Sequence, residues 1–108
     1  MKPRPPLPPG PFLVIGLARS GAAVAGALRA RGEEVIGCDA GASEDPRLRA
    51  AAEGLSAQGV EVHLDASGDV LAARTGTLVK SPDVPQSAPA VLAARAHDVT
   101  MIGELELT

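Results

Sequence analysis

Neither tryptophan nor tyrosine occurs in the 108-residue chain, and Phe12 is its single phenylalanine. That removes the aromatic platforms on which single-stranded nucleic acid stacks, and it leaves aliphatic side chains and alanine to form the core. Cys38 is the only cysteine, which excludes an intrachain disulfide and a metal site built from several thiolates. A buried thiol in a reducing cytosol is the expectation for it. Histidine occurs twice, as His63 and His97, and neither has a serine or cysteine partner at a catalytic spacing. Lysine also occurs twice, as Lys2 and Lys80, and neither follows a G-x-x-x-x-G run, so no Walker-type ATP loop is present. Glu104 and Glu106 stand two apart and read as exposed rather than catalytic. Positive charge is scarce: the formal net charge is −3 with no long basic run, which argues against sequence-independent nucleic-acid binding. No apolar stretch approaches the ~18 residues of a membrane span, and the N-terminus is rich in proline rather than apolar. A cytoplasmic protein without membrane insertion or a nucleic-acid partner is expected.

What is present is an alternation of short apolar runs and alanine-rich helical stretches. Residues 1–11 read as a disordered proline-rich leader, and residues 12–108 as one domain with a modest core. Strands are predicted at 12–15, 34–38, 60–64, 77–80 and 99–102. The first helix is predicted at 20–31, with Val24, Ala27 and Leu28 inward, Arg29 and Arg31 outward, and Gly32 as its stop. The second starts on Asp45-Pro46, a cap followed by a first-turn proline, and runs to about residue 58 with Leu48, Ala52 and Leu55 inward. Residues 65–74 read as one short helix. The last helix is predicted at 87–96, with Val91 and Leu92 inward. This rhythm predicts an α/β fold, a Rossmann-like doubly wound parallel sheet of five strands with helices on both faces. The chain ends on what reads as the start of a further element, which gives the expectation of a fragment of a longer protein.

In such a sheet, ligands bind beyond the carboxyl ends of the strands where the winding reverses. With strand order 3-2-1-4-5, that crevice lies between the first and fourth strands, so loop 16–21 faces loop 80–85. Gly16 and Gly21 admit a tight backbone turn before a helix N-terminus, and the amides of Arg19 and Ser20 are candidates to hold a phosphate. Ala18 occupies the middle glycine position of G-x-G-x-x-G, so the dinucleotide fingerprint is incomplete. A phosphate is favoured and the compound carrying it stays open. Asp39, ending the second strand, flanks the same rim at the distance of a ribose- or base-binding carboxylate. As a lone residue it reads equally as a solvated strand end. Lys80 and the rigid Ser81-Pro82 turn complete the rim, with an exposed lysine and plain turn chemistry as their simpler reading.

Four segments together resemble the N-terminal domain of the Mur ligases, and within that family its D-glutamate-adding members. They are Val14-Ile15-Gly16-Leu17-Ala18-Arg19-Ser20-Gly21, then Gly32 with Asp39, then Val79-Lys80-Ser81-Pro82-Asp83-Val84-Pro85, and Ile102-Gly103-Glu104-Leu105-Glu106-Leu107. The resemblance implies a domain that binds the UDP part of UDP-MurNAc-L-alanine. Gly16, Ala18, Arg19, Ser20 and Gly21 would lie at the diphosphate, Asp39 at the uracil, and Lys80, Ser81 and Pro82 on the opposing loop. It further implies that ATP and Mg2+ serve the full-length enzyme through central and C-terminal domains, with no cofactor and no catalytic residue in this part. Asp83 departs from the glycine usual after Ser-Pro, and Ala40 and Gly41 from the polar residues usual after the aspartate. An NAD(P)-binding domain of an oxidoreductase, with Asp39 on the ribose, is the competing reading. A regulatory domain that kept the fold without a ligand is a third.

Overall fold

The first apolar run sets the middle of the sheet. Phe12–Ile15 (β1) is hydrophobic at every position because both of its faces are covered, and all four side chains are buried. A computed structural model of the chain describes residues 10–17, 20–41, 43–81 and 84–103. The other elements in chain order are α1 (Ser20–Ala30), β2 (Val35–Cys38), α2 (Pro46–Ala57), β3 (Glu61–His63), α3 (Asp69–Ala72), β4 (Thr77–Lys80), α4 (Pro89–Ala96) and β5 (Thr100–Gly103). All pairings are parallel and the order is β3-β2-β1-β4-β5, the doubly wound arrangement expected. Ile15 stands opposite Cys38 on one side and Lys80 on the other, so three strands end level at the carboxyl rim.

Side-chain alternation divides the core into two layers. Phe12, Val14, Val35 and Val79 meet Ala25 and Leu28 of α1 and Leu48 and Leu55 of α2. Leu13, Ile15, Ile36, Cys38 and Leu78 meet Leu71 and Ala72 of α3 and Ala90 and Ala94 of α4. Among the described residues no helix is long and apolar enough to cross a membrane. The proline-rich residues 1–9 and the glutamates at 104 and 106 lie outside the described residues.

Three expectations are corrected. In α1 the buried stripe is Gly21, Ala25 and Leu28, while Val24 is half-buried and Ala27 is exposed. Arg29 is half-buried rather than outward, its Nε donating to Gln58 O at 3.1 Å and its Nη1 to Glu33 O at 3.2 Å. In α4 the buried positions are Ala90, Val91 and Ala94, and Leu92 is 51% exposed. Alanine four residues apart brings that helix close to the sheet and turns residue 92 away from it. Residues 65–74 do not form one helix: Asp65 has φ 53° and Gly68 φ 81°, so helical geometry is confined to Asp69–Ala72. A Cβ at Gly68 would lie 3.0 Å from Ile15 Cδ1 and 3.1 Å from Cys38 Sγ, a contact that only glycine permits.

The ends of α1, α2 and α4 follow one device. Gly32 and Gly59, with φ of 89° and 95°, occupy the left-handed position after α1 and α2. There the amides of Gly32 and Glu33 reach back to Arg29 O and Leu28 O, and those of Gly59 and Val60 to Ser56 O and Leu55 O. α4 ends in the same way, with Asp98 N on Arg95 O and Val99 N on Ala94 O, yet Asp98 carries the left-handed φ of 55°. A Cβ is disfavoured there, and a carboxylate is unfavourable at the negative end of a helix. Asp98→Gly is therefore expected to stabilise the fold by about 0.5–1 kcal/mol in urea unfolding.

β3 is an edge strand, and its face toward α3 is polar. Glu61 lies 2.6 Å from His63 Nε2 and accepts both Nη1 and Nη2 of Arg74 at 3.1 Å. The hydrogen bonds from Arg74, then that from His63, hold the Glu61 carboxyl at about 2 rather than the ordinary 4.5. A depressed carboxyl stabilises the fold above its ordinary pKa, and that contribution is lost as pH falls from 4.5 toward 2. The pair is nearly half exposed, so the contribution is small. NMR titration of the Glu61 carboxyl should give a midpoint near 2, returning toward 4.5 in Arg74→Ala.

Candidate nucleotide site at the carboxyl rim

At the end of β1 the chain turns on Gly16, whose φ is 90°. Its amide donates to Cys38 O at 2.9 Å, which ties the turn to β2, while Ser81 N approaches Ile15 O at 3.4 Å from the β4 side. A Cβ on Gly16 would meet Ser81 Cβ and Val84 Cγ2, each at 3.3 Å. The two loops expected to face each other therefore cross in contact, and the missing side chain makes the room.

Asp39 organises the β2 side. Its Oδ2 accepts the amide of Leu17 at 2.8 Å and its Oδ1 that of Gly41 at 2.7 Å. One carboxylate thus pins the loop after β1 and the loop after β2 together. The β3–α3 connection is drawn in as well, with Ala66 N on Asp39 O at 3.3 Å and Asp65 N on Gly41 O at 3.0 Å. Among the described residues each carboxylate oxygen accepts one such bond, so the brace itself leaves Asp39 able to accept from a ligand.

These loops enclose a cavity of about 390 Å³ lined by Gly16, Cys38, Asp39, Ser67, Ser81 and Val84, among others. Its walls are mainly aliphatic, with few polar groups, as small-molecule sites tend to be. Ser81 is only 7% exposed, and its hydroxyl has no hydrogen-bond partner among the described residues. The Cys38 thiol donates to Ala66 O at 3.3 Å. Burial, followed by the nearby Asp39 and Asp69 carboxylates, pushes that thiol up to about 11, so it stays protonated at neutral pH. It is a piece of wall and not a nucleophile.

Of the residues singled out in the sequence, Gly16, Asp39 and Ser81 come together on this cavity. Gly21 is buried in the first turn of α1. Lys80 points its Nζ at loop carbonyls, 2.7 Å from Val84 O and 3.3 Å from Ser81 O. Ala18, Arg19 and Pro82 lie outside the described residues, as does the side chain of Ser20. Sequence reasoning missed Ala66, Ser67, Ala88 and Pro89, which also line the cavity. Small residues in a connection carry no chemical signal, and only the topology brings them to the rim.

Compared with protein-family models, the chain matches none. Individual proteins do match. UDP-N-acetylmuramoylalanine--D-glutamate ligase of Frankia casuarinae is 43% identical over 101 residues, which cover 90% of this chain and 20% of that enzyme. The enzyme of the same name from Microcystis aeruginosa is 39% identical over 95 residues, 87% of this chain and 21% of the enzyme. This chain is a homologue of the Mur ligases. It spans about a fifth of the length of the curated relatives it matches. The solved UDP-N-acetylmuramate:L-alanyl-gamma-D-glutamyl-meso-diaminopimelate ligase from Neisseria meningitides superposes with a TM-score of 0.66. That likeness covers 85% of this chain and 28% of the other at 20% identity, and it speaks for the fold alone.

In this Mur ligase homologue the Asp39 carboxylate is part of the framework before any ligand arrives. Asp39→Ala removes two hydrogen bonds to a charged acceptor and is expected to cost about 1.5–3 kcal/mol of ligand-free stability in urea unfolding.

Proposed function

We propose that this chain is the N-terminal substrate-binding domain of a D-glutamate-adding ligase and holds the UDP part of UDP-MurNAc-L-alanine. The observation that carries the reading is the cavity at the β1–β4 switch point, where Gly16, Asp39 and Ser81 converge in a homologue of that enzyme. A switch-point crevice beyond the carboxyl ends of parallel strands is where nucleotides bind in this architecture.

Each residue has a physical part. Gly16 lets the loop after β4 close against the loop before α1, and the diphosphate is assigned to Ala18 and Arg19 of that loop with Ser20 and Gly21 at the N-terminus of α1. Asp39, held by the amides of Leu17 and Gly41, offers its remaining lone pairs to the N–H of a uracil. The buried Ser81 hydroxyl supplies a donor or acceptor whose own needs nothing else in the described residues meets, and Pro82 continues that wall. The volume of about 390 Å³ lies in the range of small-ligand sites.

ATP-driven amide formation belongs, on this reading, to the remainder of a full-length cytoplasmic ligase that uses ATP and Mg2+. This chain has no lysine after a G-x-x-x-x-G run to hold a triphosphate. Its own task is to bind and orient the precursor, with no catalytic step. Titration followed by amide NMR tests this. UDP should shift the signals of Gly16, Leu17, Gly41 and Ser81, while NAD should leave them in place. The opposite pattern would replace the reading with a dinucleotide-binding domain, and silence toward both would leave a fold without this ligand.

A further inference from the structure

We propose that Lys80 is a positioning residue whose ammonium straps the β4–α4 loop into the shape of the cavity wall, and not a phosphate contact. The inference rests on the nucleotide-binding reading above for its consequence, and on the ligand-free geometry for its cause.

Lys80 is the last residue of β4, paired in register with Ile15 at the end of β1. Its half-buried side chain turns back along its own loop, where Nζ donates to Val84 O at 2.7 Å and to Ser81 O at 3.3 Å. Ser81 O also accepts Val84 N at 3.0 Å, so the start and end of the turn are bound both to each other and to the ammonium. These two residues are the ones that touch Gly16: Ser81 Cβ and Val84 Cγ2 each stand 3.3 Å from where a Gly16 Cβ would be. Both line the cavity. The strap therefore holds in place the two residues through which this loop packs against Gly16. An ammonium has three donors, and two are committed to carbonyls. Those two bonds anchor the ammonium to its own loop, so moving it away toward a ligand would release them and loosen the wall.

The two roles separate by the ligand they affect. A direct phosphate contact is felt by UDP and not by uridine, whereas a misplaced wall weakens both alike. For Lys80→Met in this chain, the affinities for UDP and uridine should fall together by about tenfold, the scale of one hydrogen bond from a charged donor. Their ratio should stay unchanged. In the ligand-free protein the amide of Val84 should exchange with solvent faster than in the parent chain, while amides within β1 keep their rates. Loss of UDP affinity with uridine binding intact would overturn the proposal, as would unchanged affinity for both. If the parent chain bound neither ligand, the functional reading would fall by itself. The exchange measurement would then decide the strap, and unchanged Val84 exchange would refute it. Should Lys80→Met fail to fold, Lys80→Gln gives the same comparison with a neutral side chain.

Discussion

The carboxyl rim depends on one close approach, the crossing of the loop after β1 with the loop after β4 at Gly16. Parallel neighbours at strand spacing leave little room for two turns to pass. Here the passage is made by a residue with a left-handed φ and no side chain, against Ser81 and Val84. The backbone bond from Gly16 N to Cys38 O, the Asp39 brace and the Lys80 strap are all anchored around that crossing. A side chain at Gly16 would strain its own backbone and push apart the two walls of the cavity together.

The charged groups at the rim are used inward first. Asp39 is committed to the amides of Leu17 and Gly41, and Lys80 to the carbonyls of Ser81 and Val84. Among the described residues neither has a partner of opposite charge; each ion satisfies backbone groups that a tight loop would otherwise leave unpaired. Such bonds are stronger than those between neutral groups, and they order the loops at the place where a ligand needs a preformed surface. Preorganisation of this kind reduces what binding costs in lost loop freedom.

Much of this was legible in the sequence. The continuous apolar run of β1, the glycine stops after α1 and α2, and the Asp45-Pro46 start of α2 indicated the element types, because each depends on local chemistry, while the strand order entered as a condition taken from the fold class. Asp45 does accept Arg47 N at 2.9 Å, as a cap should. The errors fell where tertiary packing decides. Leu92 is the larger side chain, yet alanines 90 and 94 take the inward positions of α4. The connection from β3 to β4 holds a single turn of helix because Gly68 must pack against Ile15 and Cys38. The site followed the same division. Gly16, Asp39 and Ser81 were visible through chemistry and topology. The inward commitments of Asp39 and Lys80 were not, since a side chain's partner within a loop leaves no periodic trace.

The near absence of aromatic residues has an optical consequence. Phe12, the one phenyl ring of the chain, is sealed in the core at 0% exposure, and phenylalanine absorbs weakly in the near ultraviolet. The protein is almost dark at the wavelengths where tryptophan and tyrosine usually dominate. A nucleobase seated against Asp39 and Ser81 would be the one strong chromophore in the complex. Its absorbance and circular dichroism would then report the environment of the cavity directly, without a protein background to subtract.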